Sequence, residues 1–200
     1  SVGASDSTAA AAVPHDVDGD GAADLVLQYD HQGARRWQAR RGARTAFRFD
    51  GDYTSTKTPA VEVVGVSDVD GDGTADLVLQ YDLRGERHWQ ARTSTGTTFV
   101  HSGGWTSTRT PNVAAVGLGD VDGDGRADLI LQYDLRGERR WQARLSTGAS
   151  FAVAGDGTST RTRGVTVAGI GDMNGDGRVD LVLQYDHQGK RRWQARLSTG

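Results

Sequence analysis

A fixed period of 52 residues runs through this chain and restricts what it can fold into. An acidic run begins at Asp16, Asp68, Asp120 and Asp172. The string "LQYD" ends at Asp30, Asp82, Asp134 and Asp186, and "WQAR" ends at Arg40, Arg92, Arg144 and Arg196. Repetition at this length means small units, each completing its core against a neighbour, stacked or arranged radially. The 200 residues therefore read as a single domain, with repeats at approximately 1–52, 53–104, 105–156 and 157–200.

Within a unit the local pattern is β. Leu77, Leu79 and Tyr81 alternate with Val78 and Gln80, a period of two. A turn at Gly85 leads into "HWQAR", and a short strand is expected around Phe99, in register with Phe47 and Phe151. Connectors such as "TSTKTP" and "TSTRTP" then lead into an apolar strand before the next acidic run. That makes four short strands per unit, with no helical periodicity. The 28 Gly and 3 Pro fit turn-rich β-structure rather than disorder. The expected fold class is all-β, a β-propeller built of four-stranded antiparallel blades. No apolar run reaches the ~20 residues of a membrane-crossing helix, so no membrane insertion is expected. With no cysteine in the chain, disulfides, thiolate metal sites and a Cys nucleophile are excluded.

The acidic runs have their own chemistry. In "GDVDGDGRADLILQYD" the carboxylates of Asp120, Asp122, Asp124 and Asp128 fall at loop positions 1, 3, 5 and 9, with a backbone carbonyl available at position 7 on Arg126. Like charges this close repel unless a cation holds them. All-oxygen donors on a flexible Gly-rich loop suit Ca²⁺ better than Mg²⁺, and the lack of His and Cys argues against zinc or copper. An EF-hand would need Glu at position 12 and flanking helices. Position 12 is Leu27, Leu79, Leu131 or Leu183, and the flanks read as strands.

A strand ending in "GD", then "VDGDGxxDL", an apolar strand and a Gly turn resemble the FG-GAP, or VCBS, repeats of integrin-like β-propellers and secreted bacterial proteins. The resemblance spans essentially the whole chain. It implies one Ca²⁺ per repeat, four per chain, in the loop between the first two strands, and an extracellular, secreted setting. The implied ligands are Asp16, Asp18, Asp20, Ala22 and Asp24; Asp68, Asp70, Asp72, Thr74 and Asp76; Asp120, Asp122, Asp124, Arg126 and Asp128; and Asp172, Asn174, Asp176, Arg178 and Asp180. Position 7 contributes its carbonyl in each set, and Asn174 brings a neutral oxygen to the last.

Outside the loops the chain is basic. The four loops hold 15 of the 26 acidic residues, which leaves 21 of the 23 Lys and Arg facing 11 acids elsewhere. Turns with Arg35, Arg36, Arg84, Arg87, Arg136, Arg139, Arg140, Lys190, Arg191 and Arg192, and connectors with Lys57, Arg109, Arg161 and Arg163, are expected on one face. Such a face could steer a glycan or another anionic polymer; nucleic acid is not the expected partner. Trp37, Trp89, Trp141 and Trp193 read as packing between units. Trp105 lies outside the strict repeat, where Tyr53 and Gly157 hold the equivalent places. A ligand site is expected around Tyr53, Lys57, Trp105, Arg109 and Arg161.

No catalytic constellation repeats, so no enzyme is expected. The leading reading is a secreted, calcium-stabilised, lectin-like carbohydrate-binding module. The alternative is a structural or protein-interaction module accessory to a larger secreted protein, and a polysaccharide-acting enzyme ranks third. Four full units would need eight more residues than the chain has, so the last unit is expected to lack its outer strand. "SVGASDST" could close a four-bladed ring, or a second chain could complete a larger ring as a homodimer.

Overall fold

The computed structural model describes residues 15–43, 46–103, 105–155 and 157–200. Those residues form sixteen strands and no helix, arranged as antiparallel sheets of hairpins. The first sheet has the order β1 (Leu25–His31), β2 (Ala34–Ala43), β3 (Ala46–Thr56). The second runs β4 (Glu62–Ser67), β5 (Asp76–Leu83), β6 (Glu86–Ser94), β7 (Phe99–His101), and β8 (Thr106–Thr108) also pairs with β6. The third repeats this plan with β9 (Ala114–Gly119), β10 (Asp128–Leu135), β11 (Glu138–Ser146), β12 (Phe151–Val153) and β13 (Thr158–Thr160). The fourth contains β14 (Thr166–Gly171), β15 (Asp180–His187) and β16 (Lys190–Arg196).

The outer strand departs from expectation. "TST" is not a connector: Thr106–Thr108 pairs with Arg87–Trp89, and Thr158–Thr160 pairs with Arg139–Trp141. The outer edge of the second and third sheets is thus built in two pieces, one from each side of a unit boundary. The first sheet fuses them into the eleven-residue β3. The apolar strand expected before β1 and the segment "SVGASDST" lie outside the described residues.

The central hairpins show why these strands meet. Leu83 pairs with Glu86 across a two-residue turn in which Arg84 and Gly85 both have positive φ, 52° and 78°. That geometry matches the twist of the flanking strands and favours Gly at the second place. Along β5 the alternation then divides the side chains between the sheet's two faces. Leu77 and Leu79, with Tyr81 packed against them, join the cluster containing Trp37 of the preceding sheet. Val78 joins the cluster containing Leu129 and Leu131 of the following sheet.

Each core is consequently a junction between sheets. Trp37, Trp89 and Trp141 are 0%, 0% and 2% exposed, whereas Trp193 is 62% exposed. Phe99 and Phe151 are 3% exposed, whereas Phe47 is 55% exposed. Closure of the four sheets into a ring within one chain is not present among the described residues. The innermost strands approach closely through glycine: a Cβ on Gly117 would meet Ile170 Cδ1 at 2.7 Å.

Candidate metal centre

In the second, third and fourth sheets the acidic loop leaves the first strand and enters the second, so the sheet fixes both ends; in the first sheet it leads into β1. In the second sheet, Asp68 folds the loop over itself by accepting Gly71 N–H at 2.7 Å and Gly73 N–H at 3.0 Å. Asp16, Asp120 and Asp172 make the same pair of bonds. Glycines at φ near +85° let the amides turn inward.

The carboxylate at position 9 anchors the loop. Asp76 is fully buried and accepts two amides, Val69 N–H at 3.0 Å from the loop and Ser94 N–H at 2.7 Å from β6. Asp24, Asp128 and Asp180 do the same with Val17 and Gly42, Val121 and Ser146, and Met173 and Ser198. Burial pushes the Asp76 carboxyl up to about 7 and the Asp128 carboxyl up to about 6, opposed by these backbone donors. Desolvation also raises Asp18 and Asp70.

Three of the loops bring carboxylates together. Ligand oxygens of Asp16, Asp18 and Asp24 lie within 4.8 Å of one another, as do those of Asp68, Asp70 and Asp76 and those of Asp120, Asp122 and Asp128. Such a triad of oxygens could hold a hard divalent cation. Position 5 is turned elsewhere. Asp20, Asp72, Asp124 and Asp176 cap the N–H of Ala22, Thr74, Arg126 and Arg178 at position 7. Asp124 also pairs with the Arg126 guanidinium. In the fourth loop Asn174 donates to Asp176 at 3.0 Å, leaving Asp172 and Asp180 as the equivalent carboxylates.

Two features escaped the sequence reading. Arg41 stands 3.1 Å from Asp18, a guanidinium beside the first triad where the other units carry Thr93, Leu145 and Leu197. The loops are also linked in series. Ala75, Ala127 and Val179 N–H donate to the carbonyls of Asp16, Asp68 and Asp120 at 2.6–2.7 Å. The hydroxyls of Ser94, Ser146 and Ser198 donate to the carbonyls of Val17, Val69 and Val121. The recurring Ser after "WQAR" was the available signal, together with its replacement by Gly42 in the first unit.

The expected ligand site does not assemble. Tyr53 is buried with its ring centroid 5.2 Å from Phe99, and Trp105 is buried 4.9 Å from Phe151. Neither ring has a face free to stack on a ligand. Arg109 and Arg161 pair with Glu86 at 2.7 Å and Glu138 at 2.9 Å, and Lys57 is exposed. Hydrogen bonds from Ser107 and Arg109 hold the Glu86 carboxyl below its ordinary value.

The basic face is similarly compensated. Arg35, Arg87, Arg139 and Arg191 pair with the turn-starting Asp30, Asp82, Asp134 and Asp186 at 2.5–2.6 Å. Trp105 and Tyr53 serve instead as plugs between sheets. Where Gly157 takes their place, a cavity of about 830 Å³ opens between the third and fourth sheets, lined by Trp141, Gln142, Leu181, Gln194 and Arg196 among others.

Serial antiparallel sheets with an aspartate-lined loop between the first two strands define a repeat protein of one recurring plan. The model for the FG-GAP-like repeat matches residues 16–79 and 68–131, together more than half of the chain. The chain belongs to the FG-GAP-like repeat family. No curated protein and no solved structure matches it.

Proposed function

We propose that the chain is a secreted, calcium-ordered interaction module of β-propeller type, without catalytic activity of its own. The observation that carries this reading is the buried Asp at position 9. Asp76 is at once a member of the oxygen triad and the link between loop and β6, so a cation there stiffens the loop and the sheet together. Carboxylates this close and this buried are costly without a compensating positive charge. Ca²⁺ fits an all-oxygen, glycine-hinged loop, and the high calcium outside cells would supply such a site.

The test is thermal unfolding in Ca²⁺, in equal Mg²⁺ and in chelator. A cation bound only by the native state adds about 2.7 kcal/mol per site at a hundredfold excess over Kd, so the melting temperature should rise markedly in Ca²⁺ and little in Mg²⁺. An unchanged curve in all three would refute the calcium reading.

Carbohydrate binding is the second reading. Its expected aromatics are buried, and what favours it is the cavity beside Gly157, where the amides of Gln142 and Gln194 and the Arg196 guanidinium offer hydrogen bonds to sugar hydroxyls. A glycan array in Ca²⁺, repeated with Gln194→Ala, tests it. Binding unaffected by that substitution would place any sugar site elsewhere.

A further inference from the structure

Every internal junction joins two unlike halves. The leading half is the tryptophan of the "WQAR" strand of one sheet, β2, β6 or β11. The receiving half is an alternating Leu-Leu-Tyr row on the second strand of the next sheet, completed in the second and third sheets by a phenylalanine. Trp37 thus meets Leu77, Leu79 and Phe99, with Tyr81 alongside. Trp89 meets Leu129, Leu131 and Phe151, with Tyr133 alongside. Trp141 meets Leu183, with Leu181 and Tyr185 alongside. The two ends of the array each present one half. The fourth sheet exposes the leading half, Trp193, and Met173 in its loop is exposed as well. The first sheet exposes the receiving half, Leu25, Leu27, Tyr29 and Phe47.

We propose that these two exposed faces are one interface divided between the ends of the chain, and that its occupant is a second copy. The first sheet of each copy docks on the last sheet of the other, giving a ring of eight sheets with two-fold symmetry. Complementarity follows from the internal junctions, which are built from the same residues at the same spacing. A head-to-tail contact either closes or grows without limit; closure of one chain on itself is not present among the described residues, and two copies are the next smallest set that uses both ends of each. The polar seam should be weaker than an internal one. Gly42 occupies the position of Ser94, so the docked junction lacks the hydroxyl that ties Ser94 to Val17. Association is therefore reversible on dilution.

The pairing extends the propeller reading but does not depend on what the loops bind. Light scattering on the 200-residue chain, in Ca²⁺ and in chelator, reads it directly. Twice the chain mass is expected at tens of micromolar or so, falling twofold to the monomer on dilution. Trp193→Asp and Leu27→Asp alter opposite ends at exposed positions, and each should be monomeric with an unchanged circular dichroism spectrum. Mixed in equal amounts, they should recover the doubled mass through the one junction in which both halves are intact. A wild-type chain that stays monomeric, that forms open-ended polymers, or whose dimer survives both substitutions overturns the proposal. X-ray scattering of the dimer separates the two readings: a doubled mass in an extended rather than ring-shaped particle keeps the pairing and removes the propeller.

Discussion

The second and fourth sheets contain the same words in opposite circumstances. Both read "DLVLQYD" along the second strand and "WQAR" along the third. Yet Trp89 is sealed between sheets while Trp193 stands open. The difference lies entirely in the neighbour on the C-terminal side. Trp89 has the third sheet laid over it, and no described residue covers Trp193 in the same way. Burial here is a property of the junction, and the stability of such an array is a sum over neighbours.

The sharpest way to break that comparison is to truncate both indoles. Trp89→Ala should cost about 3–5 kcal/mol, the usual range for an aromatic removed from a packed core. Trp193→Ala, measured by urea unfolding at concentrations too low for association, should stay within about 0.5 kcal/mol of wild type, as exposed substitutions do. Equal losses would show that the fourth sheet's indole is covered in solution.

A smaller effect is expected at the seam. Ser146→Ala removes the hydroxyl that satisfies the Val69 carbonyl, and a buried acceptor left without a partner costs about 1–3 kcal/mol. Ser198→Ala, whose partner is Val121 on a more open junction, should cost less in the same denaturation experiment. A larger loss at Ser198 would reverse the ranking of the two junctions.

The smallest effect distinguishes loops rather than junctions. Arg41→Ala takes a positive charge away from Asp18. Tightening of calcium binding at the first loop by a few-fold, equivalent to under about 1 kcal/mol, is expected for a screened, partly exposed pair. Calorimetric titration of the wild type and this variant measures it. Unaltered binding would mean that the guanidinium swings clear when the cation enters.

Much of this architecture could be read directly from the chain. The 52-residue period, the alternation of Leu77, Leu79 and Tyr81, and the positive-φ turn at Gly85 depend on local chemistry that any strand of this composition must obey. The carboxylates at positions 1, 3 and 9 were legible for the same reason, because a Gly-rich loop of fixed length can gather them in few ways. What escaped was set by the neighbouring unit. Thr106–Thr108 reads as a connector until β6 of the preceding sheet offers its free edge. Trp105 reads as an exposed aromatic until Phe151 of the next sheet closes over it. Single-unit patterns cannot show contacts that need two units.

The Trp-into-next-sheet junction also sets an order of assembly. Trp37 cannot be covered until Leu77 and Leu79 have been made, some forty residues later in the chain, so a nascent chain always carries one unfinished face toward its growing end. Domains made from the N-terminus onward meet their successors in turn, which favours the correct neighbour through timing. Identical strands offer no such protection once chains are complete and partly unfolded, since any leading face matches any receiving face. The plug residue restores a distinction. Tyr53, Trp105 and Gly157 occupy one repeated position with three different sizes, and the Gly157 backbone runs so close to the Trp141 carbonyl that a Cβ there would collide. Two junctions are filled by a buried aromatic ring and the third holds a cavity, so a unit in the wrong place leaves a void or brings an unmatched ring, and this one repeated position distinguishes one junction from another.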